Sequence, residues 1–175
     1  MRAERGADST ADPTADRSRR ASGPLPRADY EDIFGRVPRL TVEVVIVSPQ
    51  GVLLTLRRRG PCAGLWHIPG GTVRYGEPLG DAVARVARDE LDVDAAAGRL
   101  LGYIEYPSHL ARGIDWPVGI AFAADVAPED RDKLAAMPGA GWFRDLPPEM
   151  HEEQRAFLVD VAAGRDGPPA GHASG

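Results

Sequence analysis

The sequence predicts one domain of the α+β or α/β class, and three observations support this. Short segments rich in β-branched residues, such as 40–47 and 52–56, are typical of strands. Apolar residues recur at three- and four-residue spacing from Pro78 to Leu91, which indicates an amphipathic helix. A second helical segment runs to about Ala163. Strands arranged around one helix and closed by another favour a mixed sheet between helices.

The composition of the chain excludes several classes of protein. A hydrophobic content of 43% is sufficient for a core, and a net charge of −5 gives no general attraction to nucleic acid. The single cysteine, Cys62, excludes a disulfide framework and a zinc-finger site. No apolar run has the length of a membrane span or a signal peptide. We therefore expect a soluble cytoplasmic protein with neither a nucleic-acid nor a membrane partner.

The ends of the chain differ from its middle in composition. Residues 1–28 hold few large apolar side chains and are rich in Ala, Ser, Asp, Arg and Pro, which predicts a disordered tail. Residues 164–175 have a similar composition and predict a flexible C-terminal tail. The folded domain is expected to span residues 29–163.

The domain is expected to begin with a helix and a pair of strands. Residues 29–34 favour a short helix that packs Ile33 and Phe34 on the domain. Residues 40–47 predict a central strand, and the turn at 48–51 leads into a return strand over 52–56.

A tight turn and a helix follow. Residues 69–71, Pro-Gly-Gly, exclude a helix or a strand interior and predict a turn whose backbone can approach a ligand. At about 100° per residue, Glu90 lies roughly 20° from Leu79, in the middle of the apolar stripe of the helix. A lone carboxylate there is costly unless it is paired or binds a metal. Arg85 and Asp89 lie one turn apart and can pair.

The remaining elements are shorter and less regular. The pattern predicts, in order, a strand over 98–106, a loop over 107–116, a strand over 117–126, a loop or helical turn over 128–133, a short strand at Trp142 and Phe143, and a last helix that starts at Pro147 or Pro148.

The turn and the helix carry a recognisable spacing. Gly71, five residues, Glu77, seven residues, Arg85 and then Asp89-Glu90 resemble the Nudix box of Nudix hydrolases, and the preceding Trp-x-x-Pro-Gly-Gly is also similar. The resemblance covers about residues 36–146. It implies an α/β/α sandwich with a mixed β-sheet. It also implies a hydrolase that uses Mg²⁺, or alternatively Mn²⁺, and acts on a nucleoside diphosphate linked to another moiety.

Three positions depart from the usual box. Val86 stands where a glutamate normally follows the arginine, Asp89 replaces the first of the paired glutamates, and Asp92 replaces a glycine. Loss of the glutamate after the arginine resembles the GDP-mannose mannosyl hydrolase branch. That branch implies a nucleotide sugar such as GDP-mannose as substrate, and often a homodimer. The alternatives are a conventional pyrophosphohydrolase that cleaves P–O bonds, or a nucleotide-binding module of the same fold with little turnover.

The resemblance also implies roles for the box residues. Glu90, the carbonyl of Gly70 and Asp89 are the expected metal ligands, and oxygen ligands suit Mg²⁺. Arg85 is expected to orient the carboxylates, and Glu77 to hold the box loop by hydrogen bonds. On this basis Glu90 and Arg85 are catalytic candidates.

Arginines near the second strand and an acid in the first are candidates for substrate binding. Arg57-Arg58-Arg59 is either a surface charge cluster or a diphosphate-recognition site, because guanidinium forks suit phosphate oxygens. Arg57 is favoured because it matches a substrate-binding arginine of the related branch. Glu43 lies either on a solvated face or against the base or ribose, as an acid near this position does in that branch.

The general base of the related branch has no direct counterpart in this chain. The mannosyl hydrolase branch places a Gln–His pair in the loop before the last core strand, whereas residues 133–138 of this chain contain neither. His109, in the other long loop, is the nearest histidine that could act as base. His67 beside the Gly-Gly turn is interpreted as structural or substrate-facing, and Cys62 as an inert loop residue.

Overall fold

The computed structural model describes residues 25–165, so most of the predicted N-terminal tail and all but two residues of the C-terminal one lie outside it. Helix α1 begins at Arg27 rather than Asp29. The elements are α1 (Arg27–Phe34), β1 (Arg39–Val45), β2 (Val47–Ser48), β3 (Gly51–Leu56), β4 (Trp66–His67), β5 (Gly70–Thr72), α2 (Leu79–Val86), β6 (Ala96–Glu105), α3 (Pro107–Ala111), β7 (Pro117–Asp125), α4 (Pro128–Ala136), β8 (Ala140–Phe143) and α5 (Glu152–Ala162).

The main sheet is mixed, as the sequence predicts. Its strand order is β5-β1-β7-β6, in which β1 runs parallel to β7 and antiparallel to β5. A smaller sheet contains β2, β3 and β4, and β8 pairs with β3. Strand β1 is central because Thr41 to Val45 are all buried, so both of its faces are covered.

Two helices cover opposite faces of the main sheet and complete an α/β/α sandwich. On one side, Val83 and Val86 of α2 pack in a core with Val42 and Val44 of β1. On the other side, Phe157 of α5 packs in a second core with Val45 of β1, whose side chain points to the opposite face of the strand from Val44. The alternation of β1 between these cores leaves Glu43 on the α5 side, because successive side chains of a strand point to opposite faces.

Several predicted elements have different limits. The segment predicted as a loop over 107–116 contains α3, and Pro107 suits the first turn of a helix because its missing N–H needs no partner there. Residues 128–133 belong to the longer helix α4. Helix α5 begins at Glu152, not at the prolines, because the preceding segment is held in an extended course: Trp66 N–H donates to the Glu149 carbonyl, and His151 N–H to the Trp66 carbonyl.

Of the two α1 residues predicted to pack on the domain, Phe34 is half-buried and Ile33 is exposed. No residue of α1 is fully buried, and Ile33 is 40% exposed. Its contact with the rest of the domain includes Tyr30, whose ring lies 5.8 Å from the Arg39 guanidinium. Within residues 25–165, no helix combines the length and the apolar character needed to cross a bilayer.

Candidate functional site

The prediction that residues 69–71 form a turn outside any strand is wrong for the two glycines, because Gly70 and Gly71 belong to β5 and pair with the central strand β1. Gly70 pairs with Glu43 across the β1–β5 ladder, and a Cβ atom on Gly70 would lie 2.3 Å from a carboxylate oxygen of Glu43. A Cβ atom on Gly71 would lie 2.9 Å from a methyl group of Val86. Both glycines are therefore required by close approach, and Val86 occupies the core beneath Gly71 where the usual box carries a glutamate.

Arg85 connects the box helix to the loop that precedes it. Its Nε donates to Glu77 Oε1 at 2.6 Å and its Nη2 to Glu77 Oε2 at 2.9 Å, while Nη2 also reaches the Thr72 carbonyl at 3.0 Å. The hydrogen bonds from Arg85 lower the pKa of Glu77. Arg85 also lies 3.7 Å from Asp89, so one guanidinium contacts both carboxylates.

The metal-ligand candidates lie on a π-helical turn over Ala87–Leu91 that continues α2. The extra residue of a π turn shifts the side chains that follow, so the uniform helical wheel used for the sequence is wrong here. Leu91 is fully buried, whereas Glu90 is exposed rather than centred in the apolar stripe. The turn ends at Asp92, whose φ of 54° is the left-handed conformation that the usual glycine adopts freely.

The Glu90 carboxyl group is crowded by protein although the residue as a whole is exposed. Burial of the carboxyl raises its pKa to about 7, against the opposing effects of a backbone hydrogen bond from Gly70 and the charge of Arg57. The hydrogen bond from Gly70 places the Gly-Gly segment beside the Glu90 carboxyl, and Asp89 is the adjacent residue of the π turn. Carboxylate and carbonyl oxygens of this kind fit Mg²⁺ with several retained waters. A bound cation would stabilise the charged form of Glu90.

Glu43 is buried, so its interpretation as a solvated surface acid is wrong. It is 5% exposed, and its carboxylate accepts hydrogen bonds from Thr41 at 3.0 Å, Tyr106 at 2.9 Å and Gln154 at 3.2 Å. Burial raises the pKa of Glu43 to about 7 despite the bonds from Tyr106 and Thr41. Tyr106 and Gln154 could not be identified from the sequence, because only the fold brings them to β1.

Two adjoining clefts contain most of the predicted site residues. The sheet cleft is lined by residues that include Glu43, Arg57, His67, Gly70, His109 and His151. The loop cleft is lined by residues that include Arg57, Arg58, Arg59, His67, Glu90 and Gly139. Arg57 and His67 border both clefts, so Arg57 lies at the junction of the cleft with Gly70 and the cleft with Glu90.

Arg58, Asp89 and His67, also predicted for this region, make contacts within the protein. Arg58 donates to the Pro138 carbonyl at 2.7 Å. Asp89 lies beside Arg85 and does not line either cleft. The His67 Nδ1 lies 2.8 Å from the Ile68 carbonyl, and burial lowers the pKa of His67 to about 4, so this imidazole is neutral near pH 7.

His109 is buried in the sheet cleft and belongs to a group that the sequence analysis did not anticipate. Its Nδ1 lies 2.8 Å from Asp115 Oδ1, and its Nε2 lies 3.1 Å from Nε2 of His151. The sulfur of Cys62 lies within 3.8 Å of both imidazoles, so it is not the isolated loop residue that was expected. Within residues 25–165, these three residues form the only compact group of three or more His, Cys, Asp or Glu ligand atoms.

Comparison with known proteins agrees with this geometry. The NUDIX domain family model matches residues 37–160. The low-salt glycan biosynthesis protein Agl8 of Haloferax volcanii is 39% identical over 121 residues, which cover 66% of this chain and 78% of the relative. An ADP-ribose pyrophosphatase of Methanocaldococcus jannaschii is 32% identical over 89 residues, 51% of this chain and about half (52%) of the relative.

A solved structure is similar over nearly its whole length. The MutT NUDIX hydrolase from Burkholderia pseudomallei superposes with a TM-score of 0.56 at 29% identity, covering 72% of this chain and 99% of that one.

Proposed function

Because the chain belongs to the Nudix hydrolase family, we propose that it hydrolyses a nucleoside diphosphate linked to another moiety, most specifically a nucleotide sugar such as GDP-mannose. The observation that carries this proposal is the position of Arg57. Its side chain borders both the cleft with Gly70 and the cleft with Glu90. A guanidinium there can bind paired phosphate oxygens beside a magnesium site.

Two further observations favour a sugar substrate. Val86 is buried beneath Gly71, so the box lacks one carboxylate that conventional cleavage at phosphorus would use. The similarity to Agl8, whose name refers to glycan biosynthesis, fits a role in sugar nucleotide chemistry. The conventional pyrophosphohydrolase remains the second candidate, because Asp89 still lies beside Arg85 and an ADP-ribose pyrophosphatase is among the relatives.

Glu90, the Gly70 carbonyl and Asp89, directly or through water, are proposed to hold Mg²⁺, with Mn²⁺ as a substitute. Bound there, the metal supplies positive charge to a leaving diphosphate. Arg85 is proposed to position two parts of the site. It contacts Asp89 on the π turn and Glu77 in the loop before α2. Arg57 binds the diphosphate, and Arg58 flanks it on the loop side.

His109 is proposed to remove the proton from the attacking water. Asp115 accepts only, so its contact with Nδ1 keeps the hydrogen of a neutral imidazole on that atom. The lone pair is then on Nε2, which lies 3.1 Å from Nε2 of His151, and both rings line the sheet cleft. Asp115 also accepts from Arg39 Nε at 2.6 Å, which fixes its orientation, and its pKa is lowered because these contacts outweigh burial. Glu43 is proposed to contact the base or ribose from the floor of the same cleft.

The test is a release assay with Mg²⁺ over a panel of nucleoside diphosphate sugars and ADP-ribose, detecting sugar, nucleotide and phosphate separately. We expect free sugar and nucleoside diphosphate from at least one substrate. Glu90→Gln should lower turnover by about 100-fold, the scale of a lost charge contact in an active site. Glu129→Gln, on exposed α4, is the matched control and should not. Full activity in Glu90→Gln would show that the metal site is misplaced.

A further inference from the structure

Cys62, which is half-buried, and the buried residues His109 and His151 form a group that the proposed function uses only in part; we call it the thiol–imidazole cluster. The sulfur of Cys62 lies 3.8 Å from Nε2 of His109 and 3.7 Å from Nε2 of His151, and the two nitrogens are 3.1 Å apart. His109 is 8% and His151 5% exposed. The three residues come from the loop after β3, from α3 and from the position before α5, so the fold assembles them from distant segments.

A carboxylate lies behind each imidazole, on the side away from the centre of the cluster. Nδ1 of His109 lies 2.8 Å from the Asp115 carboxylate, and Nδ1 of His151 lies 3.0 Å from the Glu153 carboxylate. The contact of His151 is close but is not aligned as a hydrogen bond, and no other hydrogen-bond partner for His151 Nδ1 or Glu153 Oε2 is found among the described residues. The Asp115 carboxylate accepts and does not donate, so a neutral His109 carries its hydrogen on Nδ1.

This arrangement leaves the Nε2 lone pair of His109 facing Nε2 of His151 and a sulfur. The 3.1 Å contact between the two nitrogens is favourable when His151 carries a hydrogen on Nε2 or when a metal ion lies between the rings. A metal ion is the alternative that also uses the sulfur of Cys62. A carboxylate behind a histidine is also the usual arrangement around a metal-bound imidazole, because it fixes the ring and increases the basicity of the ligand nitrogen.

The distances agree with a tetrahedral metal centre. With metal–nitrogen bonds of about 2.0–2.1 Å and a metal–sulfur bond of about 2.3 Å, tetrahedral geometry places two nitrogens about 3.3 Å apart and sulfur about 3.6 Å from each. The observed separations of 3.1, 3.7 and 3.8 Å lie within a few tenths of an ångström of these values. A small movement of the side chains would therefore create the site.

The conformation of Cys62 also fits a ligand role. Its φ is 64°, in a turn closed by a hydrogen bond from Ala63 N–H to the Gly60 carbonyl, with Pro61 in the second position. Glycine is the favoured residue at a third turn position with positive φ, and cysteine there is strained. Arg112 donates to the sulfur at 3.5 Å, which places a positive charge where a thiolate ligand would need it.

We propose that Cys62, His109 and His151 bind one divalent ion of the zinc class, with the fourth coordination position open to the sheet cleft. This centre is distinct in chemistry from the box site, because thiolate and imidazole select zinc-like ions whereas carboxylate and carbonyl oxygens select Mg²⁺. A bound ion occupies the Nε2 lone pair of His109. If His109 is the general base of the proposed function, occupancy inhibits the reaction.

The test uses the full-length protein freed of metal by a chelator and titrated with Co²⁺ without substrate. We expect one equivalent to bind with a thiolate-to-cobalt charge-transfer band, and Zn²⁺ but not excess Mg²⁺ to abolish that band. Cys62→Ser should lose the band, and Glu153→Gln should weaken Co²⁺ affinity by about 10–100-fold, the usual effect of removing a carboxylate behind a metal-bound histidine. The matched control is His67→Gln, which replaces a nearby histidine outside the cluster. This variant should keep both the charge-transfer band and the Co²⁺ affinity.

Circular dichroism of each metal-free variant checks that it is folded, and the wild-type titration decides the question even if a variant fails to fold. A wild-type protein that binds no Co²⁺ through sulfur would overturn the proposal and leave a hydrogen bond as the link between the histidines. A band that persists in folded Cys62→Ser would also overturn it. Because no substrate is present, neither result depends on the proposed function.

Discussion

Arg85 and Glu77 form a two-pronged ion pair that joins the box helix to the loop before it, with N···O distances of 2.6 and 2.9 Å. Their side chains are only 17% and 13% exposed, and Glu77 also accepts from the Arg74 N–H at 2.8 Å. The pair therefore positions both the loop and the Asp89 side of the candidate metal site.

Replacing Glu77 with glutamine should destabilise the domain, because Gln cannot provide two charged acceptors to Arg85. We expect a loss of about 1.5–3 kcal/mol, the range for hydrogen bonds to charged groups. Thermal denaturation should show a melting temperature lower by several degrees. The exposed pair between Arg27 and Glu31 offers a matched control, and Glu31→Gln should leave the melting temperature unchanged.

The loss of stability caused by Glu77→Gln should depend on pH. The pKa of Glu77 is lowered in the folded state, so its stabilisation is present above the ordinary value of 4.5 and is lost as the pH falls through the folded-state pKa. The difference in melting temperature between wild type and Glu77→Gln should shrink under acidic conditions. A difference that grows on acidification would contradict the ion pair.

The titration of Glu43 should make the stability of the domain depend on pH in the opposite direction to that of Glu77. Burial raises its pKa from 4.5 to about 7, so the folded state binds the proton more tightly and the free energy of unfolding falls as the pH rises through this window. Glu43→Gln removes this titration. With chelator present, the melting temperature of the variant minus that of wild type should increase from about pH 5 to pH 8. A constant difference would show that Glu43 titrates normally.

Removal of the Arg57 guanidinium should weaken substrate binding without unfolding the domain. Arg57 is exposed and borders both clefts, so Arg57→Ala should lower kcat/KM by about 10–100-fold through a lost diphosphate contact. Arg36→Ala, which removes a guanidinium from exposed α1, should leave kcat/KM unchanged. Equal effects of the two substitutions would indicate a general charge effect rather than a specific contact.

The sequence predicted the family and the layered fold from local patterns. Gly71, Glu77, Arg85 and Glu90 lie within one continuous segment, so their spacing can be recognised in the sequence without the tertiary structure. The position of Glu90 relative to the core was wrong because the π turn over Ala87–Leu91 interrupts the helical period.

The thiol–imidazole cluster could not be predicted in the same way. Cys62 and His109 are 47 residues apart, and His109 and His151 are 42 apart, so no motif links them. Their contact depends on how the loop after β3, α3 and α5 meet beside the sheet. Burial of Glu43 was missed for a related reason, since Tyr106 and Gln154 satisfy its carboxylate only after β6 and α5 are in place.

The account depends most on which bond is broken. With Val86 in the core, the proposal is that water attacks the sugar carbon and nucleoside diphosphate leaves. The direct measurement is turnover in ¹⁸O-labelled water, followed by mass spectrometry of the separated products. The account predicts the label in the free sugar and none in the phosphate groups. Label in a phosphate-containing product would show attack at phosphorus and contradict the account.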